Sequence, residues 1–178
     1  GIAKGNTVIS KNGHNEFISI TVNGSTGPGG EVRLKGKGTV NVDVRWSAIK
    51  TLSGRIEIVK NGEVAATMEG SATPGKPLGL EAAVEFDRSG WLCARRMDES
   101  GHQSHTAAVY VTVDNKPVRA SAADARYFID WIDQMIERTS PGGDWNKYFP
   151  TKLAYEQDRY RKARAVYAKI LEECDPKK

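Results

Sequence analysis

Hydrophobic and polar positions alternate through the first two thirds of the chain, and the spacing then changes to that of helices. Glu16–Asn23 places Ile18, Ile20 and Val22 on one side and Phe17, Ser19 and Thr21 on the other. Thr39–Trp46 does the same more cleanly, with Val40, Val42, Val44 and Trp46 against Asn41, Asp43 and Arg45. A period of two with one apolar face predicts strands of an antiparallel sheet that is wet on its other side. Asn6–Ser10, Arg55–Lys60, Glu63–Met68, Leu80–Phe86, Trp91–Met97 and Thr106–Val113 complete the predicted set. Asn61-Gly62 joins two of them, and both residues tolerate the positive φ that a tight type I′ hairpin requires. Gly24–Gly30 and Gly70–Gly79 are turn-rich breaks. Gly101–His105 is predicted as a loop between the last two strands, whose residues Trp91, Cys93, Val109 and Val111 are expected in the core. About eight short strands with no helices between them argue a β-sandwich over residues 1–117.

After Pro117 the period lengthens. Ser121 reads as a helix N-cap, with Asp124 in the first turn where it favours the helix N-terminus. Tyr127, Phe128, Trp131, Ile132, Met135 and Ile136 form one wide apolar stripe. Ser140-Pro141-Gly142-Gly143 stops that helix, and a second is predicted from Thr151 to Glu173 with Leu153, Tyr160, Ala163, Tyr167 and Ile170 along its apolar side. Trp145, Tyr148 and Phe149 are expected to staple the two together. Residues 118–178 are thus predicted to form an antiparallel helical hairpin packed on the sandwich.

Composition changes little in this picture. A chain of 178 residues can bury a full core without cross-links. The charge of +4, from 26 basic and 22 acidic residues, is not gathered into a block, which argues against nucleic acid as a partner. No apolar run approaches the roughly 18 residues that span a bilayer, so no membrane partner is expected. Cys93 and Cys174 are read as free thiols. The opening Gly-Ile-Ala-Lys has neither an initiator methionine nor a signal-peptide apolar segment, so the chain is expected to be a stretch of a longer protein.

Chemistry-bearing motifs are sparse. His102 and His105 form an H-x-x-H, yet not on a helix and without the glutamate of a zinc protease, and two imidazoles leave a zinc site short of ligands. No G-x-S-x-G is present, and neither cysteine has a base nearby in sequence. The glycine clusters do not join a strand to a helix as a phosphate loop would. Arg159, Arg161, Lys162 and Arg164 follow Glu156 and Asp158 at helical spacing and read as a salt-bridged, solvated face.

Seven segments, taken in order, resemble the C-terminal region of bacterial CehA/McbA-type metallohydrolases of the PHP superfamily. They are T-V-I-S-K-N-G at Thr7–Gly13, S-I-T-V-N-G at Ser19–Gly24, R-I-E-I-V-K-N-G-E-V at Arg55–Val64, S-G-W-L-C-A-R at Ser89–Arg95, H-T-A-A-V-Y-V at His105–Val111, D-A-R-Y-F-I-D-W-I-D at Asp124–Asp133 and A-R-A-V-Y at Ala163–Tyr167. Ala108 departs from the pattern, standing where that family often has proline. The PHP metal motifs are absent from these residues. The resemblance therefore implies an immunoglobulin-like β-sandwich that is a non-catalytic accessory domain, packing on or gating an N-terminal catalytic domain of the same polypeptide. On this reading there is no catalytic residue, no metal and no cofactor. His105, His102 and Arg95, polar residues in otherwise apolar segments, are assigned to the inter-domain or ligand surface. Two other readings stay open: an autonomous carbohydrate- or surface-binding module, and an enzyme using His102 and His105.

Overall fold

A computed structural model describes residues 1–119, 121–149 and 151–174. The chain divides into two compact units, Gly1–Val118 and Arg119–Lys178. The first contains β1 (Val8–Ser10), β2 (Glu16–Val22), β3 (Glu31–Leu34), β4 (Gly38–Ala48), β5 (Leu52–Lys60), β6 (Glu63–Ala72), β7 (Leu78–Phe86), β8 (Gly90–Asp98), β9 (Gly101–Thr106) and β10 (Val109–Val113). The smaller sheet has the order β2-β4-β7. In the larger sheet β8 is central. β5 and then β6 lie on one side of it, while β9 and β10 lie end to end along the other. β1 flanks β9 antiparallel and β3 flanks β10 parallel. A three-stranded sheet facing a hairpin-built sheet with a parallel strand at its far edge is an immunoglobulin-like arrangement.

The alternation read in the sequence is what closes the core. Ile18, Ile20 and Val22 of β2, Val40, Val42, Val44 and Trp46 of β4, and Val84 and Phe86 of β7 meet Ile56 and Ile58 of β5, Leu92 of β8, and Val109 and Val111 of β10. Each such side chain contributes about 1.5–3 kcal/mol by leaving water. The β5–β6 hairpin turns at Asn61 and Gly62, whose φ values of 52° and 94° meet the type I′ requirement. Asn61 also accepts a 2.9 Å hydrogen bond from the Trp91 backbone through Oδ1, which ties the hairpin to β8.

Three expectations change. Gly101–His105 is not a loop: the turn is only Glu99-Ser100, and Gly101 already pairs with Asp98. Polar side chains disguised this strand, because Thr106 turns inward and accepts the Ala94 backbone N–H at 3.1 Å. β3 is an addition, a four-residue strand held by β10 alone. The inward face of β8 is Leu92, Ala94 and Arg96, so Trp91 and Cys93 lie on the opposite face and only half buried, whereas Val109 and Val111 are core as expected. An arginine on the inward face looks like a break in the alternation until its partner, Glu16, is known.

In the second unit α1 (Ala122–Thr139) and α2 (Leu153–Cys174) form an antiparallel hairpin. Arg119 meets Glu173 at one end at 2.5 Å, and Gln157 donates to Ser140 Oγ at the other at 3.0 Å. Ser121 caps α1, its Oγ accepting from Asp124 N at 3.0 Å. The expected stripe of α1 holds in part: Phe128, Ile132, Met135 and Ile136 are buried or half buried, but Tyr127 and Trp131 are not. Ala125, Ile129, Ile132 and Thr139 are its buried residues, while Tyr127 and Trp131 are 63% and 49% exposed. Small Ala125 and polar Thr139, which returns its hydroxyl to Met135 O at 2.7 Å, concealed the true line. Phe128 still stacks on Tyr167 at 5.0 Å, and Leu153, Tyr160, Ala163, Tyr167 and Ile170 are half buried as expected. Trp145 lies under Arg138, but Tyr148 is 66% exposed and staples nothing. Among the described residues no helix is long and apolar enough to cross a membrane.

Candidate functional site

Strand pairing gathers His105, His102 and Arg95 onto the outward face of the larger sheet. Arg95 of β8 is directly paired with His105 of β9 on one side and with Glu57 of β5 on the other. Neighbouring partners in a sheet share a face, so Ile9, His105, Arg95, Glu57 and Thr67 form one row across it. His102 is three residues from His105 and would ordinarily point the opposite way. The register slips by one residue at Gln103, between the Arg96–Ser104 and Met97–His102 pairs, and this bulge returns His102 to the same side. His105 Nδ1 and His102 Nε2 are 3.0 Å apart, with ring centroids at 4.9 Å.

The electrostatics are those of a cationic patch neutralised at its centre by Glu57, with exposed Glu69 across from Arg55 at its far side. Glu57 is 2% exposed although it lies on the outer face. Burial alone would raise its carboxyl. The hydrogen bonds from Arg55, at 2.6 Å, and from Arg95 outweigh that and hold it below the usual range. His102 is pushed down by burial first, then by His105, Lys11 and Arg95. Lys11 lies alongside, since its backbone N donates to Gln103 O at 2.8 Å. Among the described residues, the two imidazoles bond to each other and to no serine, cysteine or carboxylate, so no nucleophile–base pair is assembled here. Cys93, on the same face, has its thiol pushed up by burial and rests as the unreactive neutral form. No group of three or more His, Cys, Asp or Glu among the described residues is placed to hold a metal ion.

A second polar cluster is sealed inside one end of the sandwich. Glu16 accepts from Trp46 Nε1 at 2.8 Å and from Asn12 Nδ2 at 2.9 Å. Arg96 lies over the Trp46 ring at 4.8 Å, donates to Ser53 O at 2.7 Å, and has Nε 3.6 Å from Glu16 and Nη1 2.8 Å from Asp98. Their side chains are 0% and 2% exposed, so the pair is structural. The sequence reading missed it; the signal available was two charged residues at inward positions of alternating strands. A shallow hollow of about 480 Å3 lies nearby, lined by Ser53, Arg55, Glu69, Ser71, Met97 and Glu99 among others.

No protein-family model matches the chain, and no curated protein matches it. Among solved structures it is similar to a CARDB domain from Pyrococcus furiosus, with 14% identity and a TM-score of 0.38 over 58% of this chain and 99% of that one. An engineered protein gives 18% identity and 0.32 over 54% of this chain and 20% of that one. A lytic polysaccharide monooxygenase of Jonesia denitrificans gives 16% identity and 0.30 over 51% of this chain and 61% of that one. Likenesses this distant say nothing about what the chain binds or catalyses, and the immunoglobulin-like assignment rests on the strand order itself.

Proposed function

We propose that this chain is a non-catalytic interaction module, and that it serves a PHP-type metal-dependent catalytic domain of the same polypeptide. The observation that carries the interaction role is the convergence of Arg95, His102 and His105 on one outward patch. A fold whose interior is sealed by apolar side chains leaves its outer faces as the place for recognition. The ordered series of segments from Thr7 to Tyr167 that resembles the CehA/McbA type supports the identity of the partner. Two measurements test the reading. The reading frame upstream of Gly1 is expected to encode metal-binding His and Asp motifs. Isothermal titration of that separately produced domain into this chain is expected to give binding that Arg95→Ala weakens by about tenfold or more, the scale of one lost charged interface contact. Absence of heat with the wild type removes the docking role.

The rival reading, an autonomous carbohydrate-binding module, draws on the exposed ring of Tyr148, which could stack on a pyranose face. A glycan array on which the wild type binds and Tyr148→Ala does not would favour it.

A further inference from the structure

The patch has a chemistry that the docking role does not specify. Three cations, Lys11, Arg55 and Arg95, stand around the histidine couple against two carboxylates of the same face: Glu57, which Arg55 and Arg95 share, and exposed Glu69, which pairs with Arg55 on the side away from the histidines. Asp98, at the end of β8, is committed: Oδ1 accepts from Ser100 N and Gln103 Nε2, and Oδ2 faces Arg96; Glu99 follows it in the exposed turn. Arg95 uses Nε on Glu57, and among the described residues its two terminal nitrogens have no acceptor. Ile9, paired with His105 from β1, adds an apolar wall and no charge.

This arrangement decides between two ligands that a pair of imidazoles could take. A metal cation would find two ligands, no third, and a positive surround that repels it. An oxyanion would find the opposite: N–H donors from the guanidinium and imidazoles, and a field that favours it. We propose that Arg95, His102, His105 and Lys11 form a proton-gated oxyanion site, taking a carboxylate or a phosphate-type group.

The gate is the N–H···N bond between the rings. That bond requires at least one neutral imidazole, because one nitrogen must accept. An anion inserted between the rings replaces it with two N–H donors, one from each ring, and so binds together with a proton. Burial first, and then His105, Lys11 and Arg95, disfavour a charged His102 in the empty site, and the two cations strengthen the filled one. The site therefore fills as pH falls through the histidine range. The proposal uses the location given under the proposed function but not the catalytic partner, so it is tested on this chain alone.

The imidazole Cε1–H signals of His102, His105 and His14 are followed by NMR from about pH 5 to about pH 8, the window in which histidine titrates. Sodium sulfate, a dianion throughout that range, is compared with chloride at equal ionic strength, and acetate serves as the carboxylate probe. Sulfate is expected to raise the midpoint of the His102–His105 couple by about one unit, equivalent to about tenfold tighter binding to the protonated couple. His14, in a separate turn, is expected not to respond. A sulfate response larger than acetate's points to a phosphate-type ligand, and the reverse to a carboxylate. In Arg95→Gln the midpoint without sulfate is expected to rise and the sulfate response to vanish. Exposed Lys11→Gln, which leaves the fold untouched, is expected to reduce the response by about half, as one of the two cations that act on His102. Equal midpoints in sulfate and chloride overturn the proposal, as does an undiminished response in Lys11→Gln or tighter binding of zinc than of sulfate. Sulfate binding without docking to a catalytic domain would sink the proposed partner and leave this site standing.

Discussion

Removing one member of the sealed Glu16–Arg96 pair is the sharpest test of how this sandwich is held. The two residues differ in what they leave behind. Arg96→Met leaves the Glu16 carboxylate with the donors Trp46 Nε1, Asn12 Nδ2 and Ser10 Oγ, at 2.8, 2.9 and 3.3 Å. Glu16→Leu leaves the Trp46 N–H without an acceptor and Arg96 Nε facing an alkyl group. Breaking a buried ion pair costs about 3–5 kcal/mol. The residual donors place Arg96→Met at the low end, about 3 kcal/mol, and the orphaned indole places Glu16→Leu at the high end, about 5 kcal/mol. The double variant removes both charges; of the groups left over, the Trp46 N–H is buried and Asn12 Nδ2, Ser10 Oγ and Ser53 O are only part-buried, so about 1–3 kcal/mol is expected. Its cost is therefore well below the sum of the singles, and a coupling energy above about 2 kcal/mol is expected. Urea unfolding followed by the far-UV β-sheet signal measures all three. Singles that each cost under about 1 kcal/mol, or that add within about 0.5 kcal/mol, would refute the argument.

Four further outcomes are expected. In Gly54→Ala the new Cβ falls 2.4 Å from Met97 O, a backbone atom that cannot yield, and 3.3 Å from Arg96 Nε; a loss above about 3 kcal/mol in the same urea assay follows. His102, with its pKa lowered in the fold, stabilises the protein above the usual histidine value of about 6.5, and that contribution disappears as pH falls through the lowered value. Without sulfate, His102→Phe should flatten the pH dependence of the urea midpoint over that window, and an unchanged slope refutes it. Ser121→Ala removes the cap of α1 and should cost about 1 kcal/mol, read as earlier thermal loss of helical signal. Asp133→Asn breaks the two-pronged pair with Arg164, but both side chains are close to half exposed, so under about 1 kcal/mol is expected.

Much of the fold was legible along the chain because one-sided burial imposes a period that local reading detects. Val40 through Trp46 and Ile18 through Val22 fixed their own inward faces, and Asn61-Gly62 announced its hairpin. The misreadings share a cause. β9 carries polar side chains that only its neighbours β8 and β1 organise into a strand. The true line of α1 depended on Thr139 satisfying its own hydroxyl. Arg96 could be placed inside only once β2, eighty residues away in sequence, had brought Glu16 to it.

The candidate patch divides the same way. Arg95, His102 and His105 could be picked out as polar residues in apolar surroundings, by sequence alone. Sequence spacing would have set the two histidines on opposite faces of a strand, or loose in a loop. Tertiary structure decided otherwise, because pairing with β8 forces a bulge at Gln103 and turns both rings to one side. It also brought Glu57 and Arg55 from β5, and Lys11 from the turn after β1, to set the local charge. Hydrophobic alternation is a property of neighbours along the chain, so the sequence by itself determined the sandwich. A charge environment is a property of neighbours in space, and only the folded sheet could assemble it.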